Sequence, residues 1–547
     1  LCQQEILKSI TKQYRVDRRE IAFLKFILEA YDGIATLKTE DAIRGVITFH
    51  IAPGCEKQFA EILQDLKKDI MIEPEQMKYL YLHTIGCQMN VYDSEQIAMR
   101  LAPLGYEQTA SMDAADLIII NTCTVRAKAE QKAFSLLGRL ARIKRNKRGL
   151  IIGVGGCVAQ QEGQKILERM PSIDLVFGTR AIDRLPRLVQ QIEARQCRIV
   201  DVDMDEVPHI PESFVGSRTE RQVSKFVTIM RGCDNYCAYC VVPFVRGRET
   251  SREPESIIRE IRVLVENGVK EVTLLGQNVN SYGKKQSLCS FPELLARINE
   301  IEGLLRIRFT TSHPKDLSSD LIMAFRDFDK LCPHIHLPVQ SGSNRILRHM
   351  NRKYTIEQYL DKVAKLRDTC TGIAITSDMI VGFPGETEAD FEKTLELIKT
   401  VEYDGLFAFQ YSDRPRAPSV KLPHKISEPL KRERLQTLLD LQEKFTKRKN
   451  KVLVGSTQWV LTDGLSKKQV SGQADAANQA LQWTGRTPSN KIVNFYLDGY
   501  PAANQSLAGQ LIGVRIDKAF SHSLFGKAIG AEPSSAGGLK GVENYVA

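Results

Sequence analysis

Cys233, Cys237 and Cys240 stand in RGCDNYCAYC, residues 231–240, in the spacing C-x3-C-x2-C. A zinc site closes its tetrahedron with four protein ligands, typically as two close pairs, and no fourth Cys or His follows Cys240 closely. Thiolates also hold iron–sulfur clusters, normally four of them. Three thiolates on a cubane of four irons leave one iron open to a small molecule. The amino and carboxylate groups of S-adenosylmethionine suit that position, and a reduced cluster is a soft one-electron donor. An electron passed into the sulfonium breaks a carbon–sulfur bond and yields a 5′-deoxyadenosyl radical. Tyr239 before the last cysteine and the strand-like FVTIM ahead of the set fit this use. A zinc site or unrelated thiols are the alternatives that the spacing leaves open.

Three further cysteines each end a strand-like run: Cys87 in TIGCQMNVYDSEQ, Cys123 in INTCTVRAKAEQK and Cys157 in GVGGCVAQQ. Strand ends far apart in sequence converge in a doubly wound sheet. On spacing alone, three isolated cysteines read first as core residues. The other six, Cys2, Cys55, Cys197, Cys289, Cys332 and Cys370, lie in no cluster spacing and are assigned as structural or incidental. His313, His334 and His336 sit at or near strand-like runs and are read as packed or hydrogen-bonded rather than catalytic.

The elements that must position these cysteines follow from periodicity. Residues 1–75 alternate strand and helix patterns in the order βαββα, an accessory α+β unit with no clustered ligands. Residues 77–202 alternate short apolar strands with amphipathic helices, which predicts a doubly wound parallel α/β domain. DMDEVPHIPESFVGSRTERQ then breaks the pattern as a linker would. Residues 219–448 hold six strand candidates, KFVTIMRGC, EVTLLGQNV, LRIRFTTSHP, HIHLPVQSGS, IAITSDMIVGFPG and GLFAFQYSDRP, enough for a partial (β/α)6 barrel with its chemistry at the carboxyl ends of the strands. Short β-like runs over 449–528 predict a small β-barrel, and 529–547 a disordered tail. The fold class is therefore multidomain α/β, as 547 residues exceed what one core holds.

Composition narrows the setting. With 43% apolar and 26% charged residues the chain reads as soluble and globular. It shows no membrane-length apolar window and no signal-peptide core, so a cytoplasmic location is expected. It opens on Leu1, which reads as a fragment or a processed chain. Twelve cysteines are too sparse for a disulfide scaffold and stay available to metals in a reducing compartment. The formal charge of +10 leans mildly toward nucleic acid, with two candidate phosphate tracks. The first is Arg139, Arg142, Lys144, Arg145, Lys147 and Arg148; the second is Lys444, Lys447, Arg448, Lys449 and Lys451.

Taken together, C-x3-C-x-Tyr-C and its continuation VVPFVRGRETSR resemble the methylthiotransferase branch of the radical SAM superfamily. GCQMNVYDSE, CVVPFVRG, HLPVQSGSNRILRHMNRKYT and DMIVGFPGETEADFE resemble its MiaB-type branch, which acts on isopentenyladenosine in tRNA. The ribosomal-protein branch usually carries Pro-Lys-Asn after the first cysteine. The resemblance covers about residues 77–528 and implies two 4Fe-4S clusters, one on Cys233, Cys237 and Cys240 and an auxiliary one on Cys87, Cys123 and Cys157. It implies two molecules of S-adenosylmethionine per turnover. Gly276, Gln277 and Asn278 would lie by the methionyl group, Ser341 and Asp378 would end later strands and reach the ribose, and Gly382 and Gly385 would admit the nucleoside. The β-rich C-terminus resembles an RNA-binding TRAM domain, whose Trp483, Phe495 and Tyr496 are candidates to stack bases or to form its core. The substrate implied is the tRNA anticodon stem-loop, with insertion of sulfur and methyl at C2 of isopentenyladenosine. The chemistry asks for a one-electron donor such as a flavodoxin or ferredoxin, and for a sulfur donor that no residue names. Two other readings stay open: the same reaction on threonylcarbamoyladenosine, and a non-catalytic metal-containing RNA-binding regulator.

Overall fold

Alternation along ITKQYRV and VITFHI turns one face of each run inward, and the strands Ile10–Val16, Ala35–Asp41 and Val46–Ile51 pair antiparallel on that pattern. Helices Ile21–Ala30 and Glu56–Leu66 place Leu24, Leu28, Phe59 and Leu63 against Ile47, Phe49 and Ile51. A short strand, Ile72–Pro74, adds to the expected βαββα order by pairing with Tyr14–Val16. In this computed structural model the described residues are 10–42, 45–74, 78–124, 127–204, 222–470, 481–497 and 506–531. Cys2, most of the expected linker and nearly all of the expected tail lie outside them.

The next unit is a six-stranded sheet in the order 199–201, 175–177, 151–156, 117–122, 78–85, 106–108, with every pair parallel. LIIINT, the strand Leu117–Thr122, is buried throughout, as both of its faces are covered by helices. After Lys78–Ile85 the chain goes out to the edge at Tyr106–Gln108 and returns on the other side at Leu117–Thr122. Such a reversal leaves a crevice at the carboxyl ends of the two central strands, where open α/β sheets place ligands. Cys87 and Cys123 follow those two strands.

The third unit has six parallel strands, 224–228, 271–275, 306–309, 334–336, 374–381 and 405–410, in two ladders of three. A parallel bridge between Ile307 and Leu331 joins them. Among the described residues no ladder closes the last strand on the first, so this is the partial barrel expected. Asp378 departs from the expectation that it ends a strand. It lies inside Ala374–Val381, because apolar alternation carries the strand on until Gly382, at φ 72°, turns it. The helix Glu428–Val452 packs on the last strand and runs through the expected boundary at 448.

Beyond it a closed five-stranded barrel runs in the order 457–465, 482–486, 492–496, 524–531, 511–519. Trp483 and Phe495 fill its core with Val460, Val514 and Leu524, so neither is available for stacking; Tyr496 is only partly buried. Two arginines fix this module to the amino ends of the large barrel's strands. Arg306 donates from Nη1 to the Arg486 carbonyl (2.6 Å) and from Nη2 to that of Trp459 (3.1 Å). Arg308 donates to the carbonyls of Pro488 and Thr487 (both 2.8 Å) and through Nε to Glu271 (2.8 Å). No helix among the described residues is long and apolar enough to cross a membrane.

Candidate active site

The loop that carries Cys233, Cys237 and Cys240 springs from the end of the first barrel strand. Met230–Arg231 pairs antiparallel with Thr250–Ser251 and pinches the loop at its base. Gly232, at φ 76°, passes so close to the Arg248 carbonyl that a Cβ would lie 2.1 Å from it. Its N–H donates to Gln277 Oε1, which ties the loop to the end of the second strand. Further in, Cys233 N–H donates to Gly247 O (3.2 Å), Cys240 N–H to Cys237 O (3.0 Å) and Ala238 N–H to Met350 O (3.0 Å). Burial pushes the Cys233 thiol up to about 11 and the Cys240 thiol up to about 12, with the neighbouring Cys237 adding to both. Three thiolates cannot share this loop unless a cation is placed among them. An iron–sulfur cluster fits that demand. No three Cys, His, Asp or Glu side chains among the described residues converge as ligands of a single ion would; a cubane is larger and takes its thiolates from around it.

Sequence reasoning missed Arg352. It is buried, and its Nη1 lies 3.5 Å from both Cys237 Sγ and the Tyr239 hydroxyl. Nη2 donates to Pro338 O (2.5 Å) and Nε to the Tyr354 hydroxyl (3.1 Å). Only a fold that brings residues 113 and 115 positions apart together reveals this contact.

The second trio gathers where the sheet reverses. Cys87 caps the helix Gln88–Leu101, with Sγ 3.3 Å from Asn90 Oδ1. Asn90 in turn donates to Asn121 Oδ1 and Thr122 O, both at 3.0 Å, and so clamps the two strand ends. A Cβ on Gly86 would sit 2.8 Å from Cys123 Cβ. A hydrogen bond with Cys123, helped by the charge of Arg246, lowers the Cys87 thiol to about 6. Cys157 begins the helix Cys157–Glu162, and burial pushes its thiol up.

Both trios border one interface. Cys157 packs against Val241, Val245 and Ala417, the first of these adjacent to Cys240. Thr179 Oγ1 donates to Val245 O (2.6 Å). Cys87 packs with Met89 and Tyr92 against Leu275 and Phe226 of the barrel.

The remaining predicted positions divide. Gly276 has no room for a side chain, since a Cβ would meet Met230 Cγ at 2.4 Å. Asn278 is buried, accepting from His313 N–H (3.1 Å) and donating to Asp316 (2.8 Å). Ser341 Oγ accepts from Ser343 N–H (3.2 Å). Asp378 is half-buried, with Oδ1 3.4 Å from His336 Nε2. Gly382 donates to Glu386 (2.9 Å) and Gly385 to His424 O (2.9 Å). His313 caps a 3-10 turn, accepting from Lys315 N–H, and burial strongly lowers its basicity; burial also lowers that of His334, to about 3. In the first basic track Lys144 pairs with Asp174 and Lys147 with Asp116; in the second Lys447, Arg448 and Lys449 pair with Glu443, Glu402 and Asp404. Neither track is a continuous free cationic face.

The chain matches the radical SAM superfamily over residues 227–398 and the uncharacterized protein family UPF0004 over 79–178. The tRNA-2-methylthio-N(6)-dimethylallyladenosine synthase of Desulfosudis oleivorans is 52% identical over 467 residues, which is 84% of this chain and 99% of that protein. That of Syntrophus aciditrophicus is 51% identical, covering 83% of this chain and 95% of its own length. The chain belongs to the tRNA-2-methylthio-N(6)-dimethylallyladenosine synthase family. Within this synthase family the chain is a radical SAM enzyme. Its first unit matches a domain of unknown function, DUF4911, over residues 14–70. Among solved structures, the radical S-adenosylmethionine methyltransferase TsrM of Kitasatospora setae, holding cobalamin and a [4Fe-4S] cluster, aligns with a TM-score of 0.50 and 15% identity over 63% of this chain and 74% of that one. At that identity the likeness concerns the fold alone.

Proposed function

We propose that this synthase inserts sulfur and a methyl group at C2 of isopentenyladenosine beside the anticodon of tRNA. The observation that carries the reading is the meeting of two cysteine trios at one interface, Cys157 packed on Val241 and Val245 of the loop that bears Cys240. An aromatic C2–H has no useful acidity, so positioned acids and bases cannot functionalise it. An iron–sulfur cluster with S-adenosylmethionine supplies the radical chemistry that this bond requires. Cys233, Cys237 and Cys240 would hold that cluster, and Cys87, Cys123 and Cys157 a second 4Fe-4S cluster from which sulfur is delivered. Two molecules of S-adenosylmethionine per turnover serve methylation and radical formation. Gln277 holds the first cysteine loop through Gly232. Gly276, Asn278, Ser341, Asp378, Gly382 and Gly385 border the S-adenosylmethionine site, with Tyr239 beside the cluster. An anticodon stem-loop suits the substrate, since an unstacked purine enters a pocket closed to a paired base. A flavodoxin or ferredoxin is the expected electron donor, and the work is cytoplasmic.

Mass spectrometry of tRNA nucleosides from a strain lacking the gene tests this. The 2-methylthio form of isopentenyladenosine should vanish while isopentenyladenosine accumulates. Loss of the methylthio form of threonylcarbamoyladenosine would reassign the substrate, and an unchanged profile would remove the activity.

A further inference from the structure

Between the two trios lies a charge cluster that the proposed chemistry has not used. Arg246, six residues after Cys240, places Nη2 2.7 Å from Asp93 Oδ2. Arg231, two residues before Cys233, places Nη2 3.5 Å from Asp93 Oδ1. Asp93 belongs to the helix that Cys87 caps. All three side chains are buried, Asp93 at 1%, Arg246 at 5% and Arg231 at 6% exposure. Two guanidinium groups against one carboxylate leave one net positive charge sealed from water. The contacts are made by charge rather than by aligned hydrogen bonds: Nη1 and Nη2 of Arg246, and Nε and Nη2 of Arg231, have no hydrogen-bond partner among the described residues.

An uncompensated buried cation is costly, and the group that would compensate it is anionic. Arg246 acts by its charge on both Cys87 and Cys157, and Val245 beside it packs on Cys157. A cubane bound by thiolates is such an anion, and its potential responds to nearby charge and to N–H groups facing its sulfurs. We propose that Arg246 is a positioning residue for the second cluster, whose charge stabilises that cluster's reduced state, with Asp93 opposing it. The proposal rests on the reading of Cys87, Cys123 and Cys157 as cluster ligands. A cation there favours the extra electron, so losing Arg246 lowers the potential. Losing the Asp93 carboxylate uncovers the cation and raises it.

The test uses the full chain carrying Cys233→Ala, Cys237→Ala and Cys240→Ala, so that only the second cluster is reconstituted and titrated by electron paramagnetic resonance. Arg246→Gln should lower the reduced-to-oxidised ratio at a fixed potential by about tenfold, the scale of one charged contact, equal to about 59 mV for a one-electron couple. Asp93→Asn should shift it the opposite way, and Arg246→Lys should stay near the parent. A purely structural role would move both variants in the same direction. Shifts of the same sign, or none in a parent that binds iron, overturn the role of Arg246 and leave the second cluster standing. A triple-alanine parent that binds no iron overturns the second cluster, and this proposal with it.

Discussion

Replacing Arg308 by Met tests how the C-terminal module is held. Arg308 and Glu271 are 6% and 5% exposed at their side chains, and the guanidinium also serves the carbonyls of Thr487 and Pro488. Removing one partner of a buried pair costs about 3–5 kcal/mol, because the other charge is left without a counter-ion. The chain's two tryptophans are Trp459 and Trp483, on two strands of the C-terminal barrel, so tryptophan fluorescence reports on that module alone. With a urea slope of about 1–3 kcal/mol per molar, the fluorescence midpoint should fall by about 2 M in Arg308→Met. Adding Glu271→Gln removes the stranded charge and should recover most of the loss. A shift below about 0.5 M for the single variant, or a double variant worse than the single, would refute the argument.

Three other outcomes are expected. Cys237→Ala should abolish cleavage of S-adenosylmethionine, measured as 5′-deoxyadenosine; continued production would remove the assigned cluster. Cys123→Ala should spare that cleavage, lower bound iron from about eight to about four per chain and stop sulfur insertion, so methylthiolated product from this variant would count against the second trio. Gln277→Leu leaves Gly232 N–H without its acceptor and loosens the cysteine loop; cluster loss on gel filtration should quicken several-fold, with restoration by Glu.

The central strands were readable because their apolar runs are long and end in Gly, Asn or Cys, as in ADLIIINTC and RGLIIGVGGC. The strand Ile72–Pro74 was not. Three residues carry no alternation, and it exists only because Tyr14–Val16 offers a free edge. Cys233, Cys237 and Cys240 stand out by their spacing, and Cys87, Cys123 and Cys157 only through the family resemblance, whereas Arg352 and Arg246 act through contacts with residues over a hundred positions away. Charge runs look different once folded. Lys144 and Lys147 look like a phosphate track in one dimension, but Lys144 reaches Asp174 and Lys147 the carbonyls of Ala114 and Ala115. For Trp483 and Phe495, alternation told which face each shared but not which face of a closed barrel is inside.

Arg306, Arg308 and the pairing of Lys491 with Asp404 moor the small barrel to the floor of the large one, while both cysteine trios stand at its mouth. Floor and mouth are separated by the height of the wall, about 20 Å for strands of this length. Held by buried arginines at one end of that wall, the small barrel cannot drift relative to the cysteine loop at the other, so any change in the mooring is felt as a change in the spacing between the two.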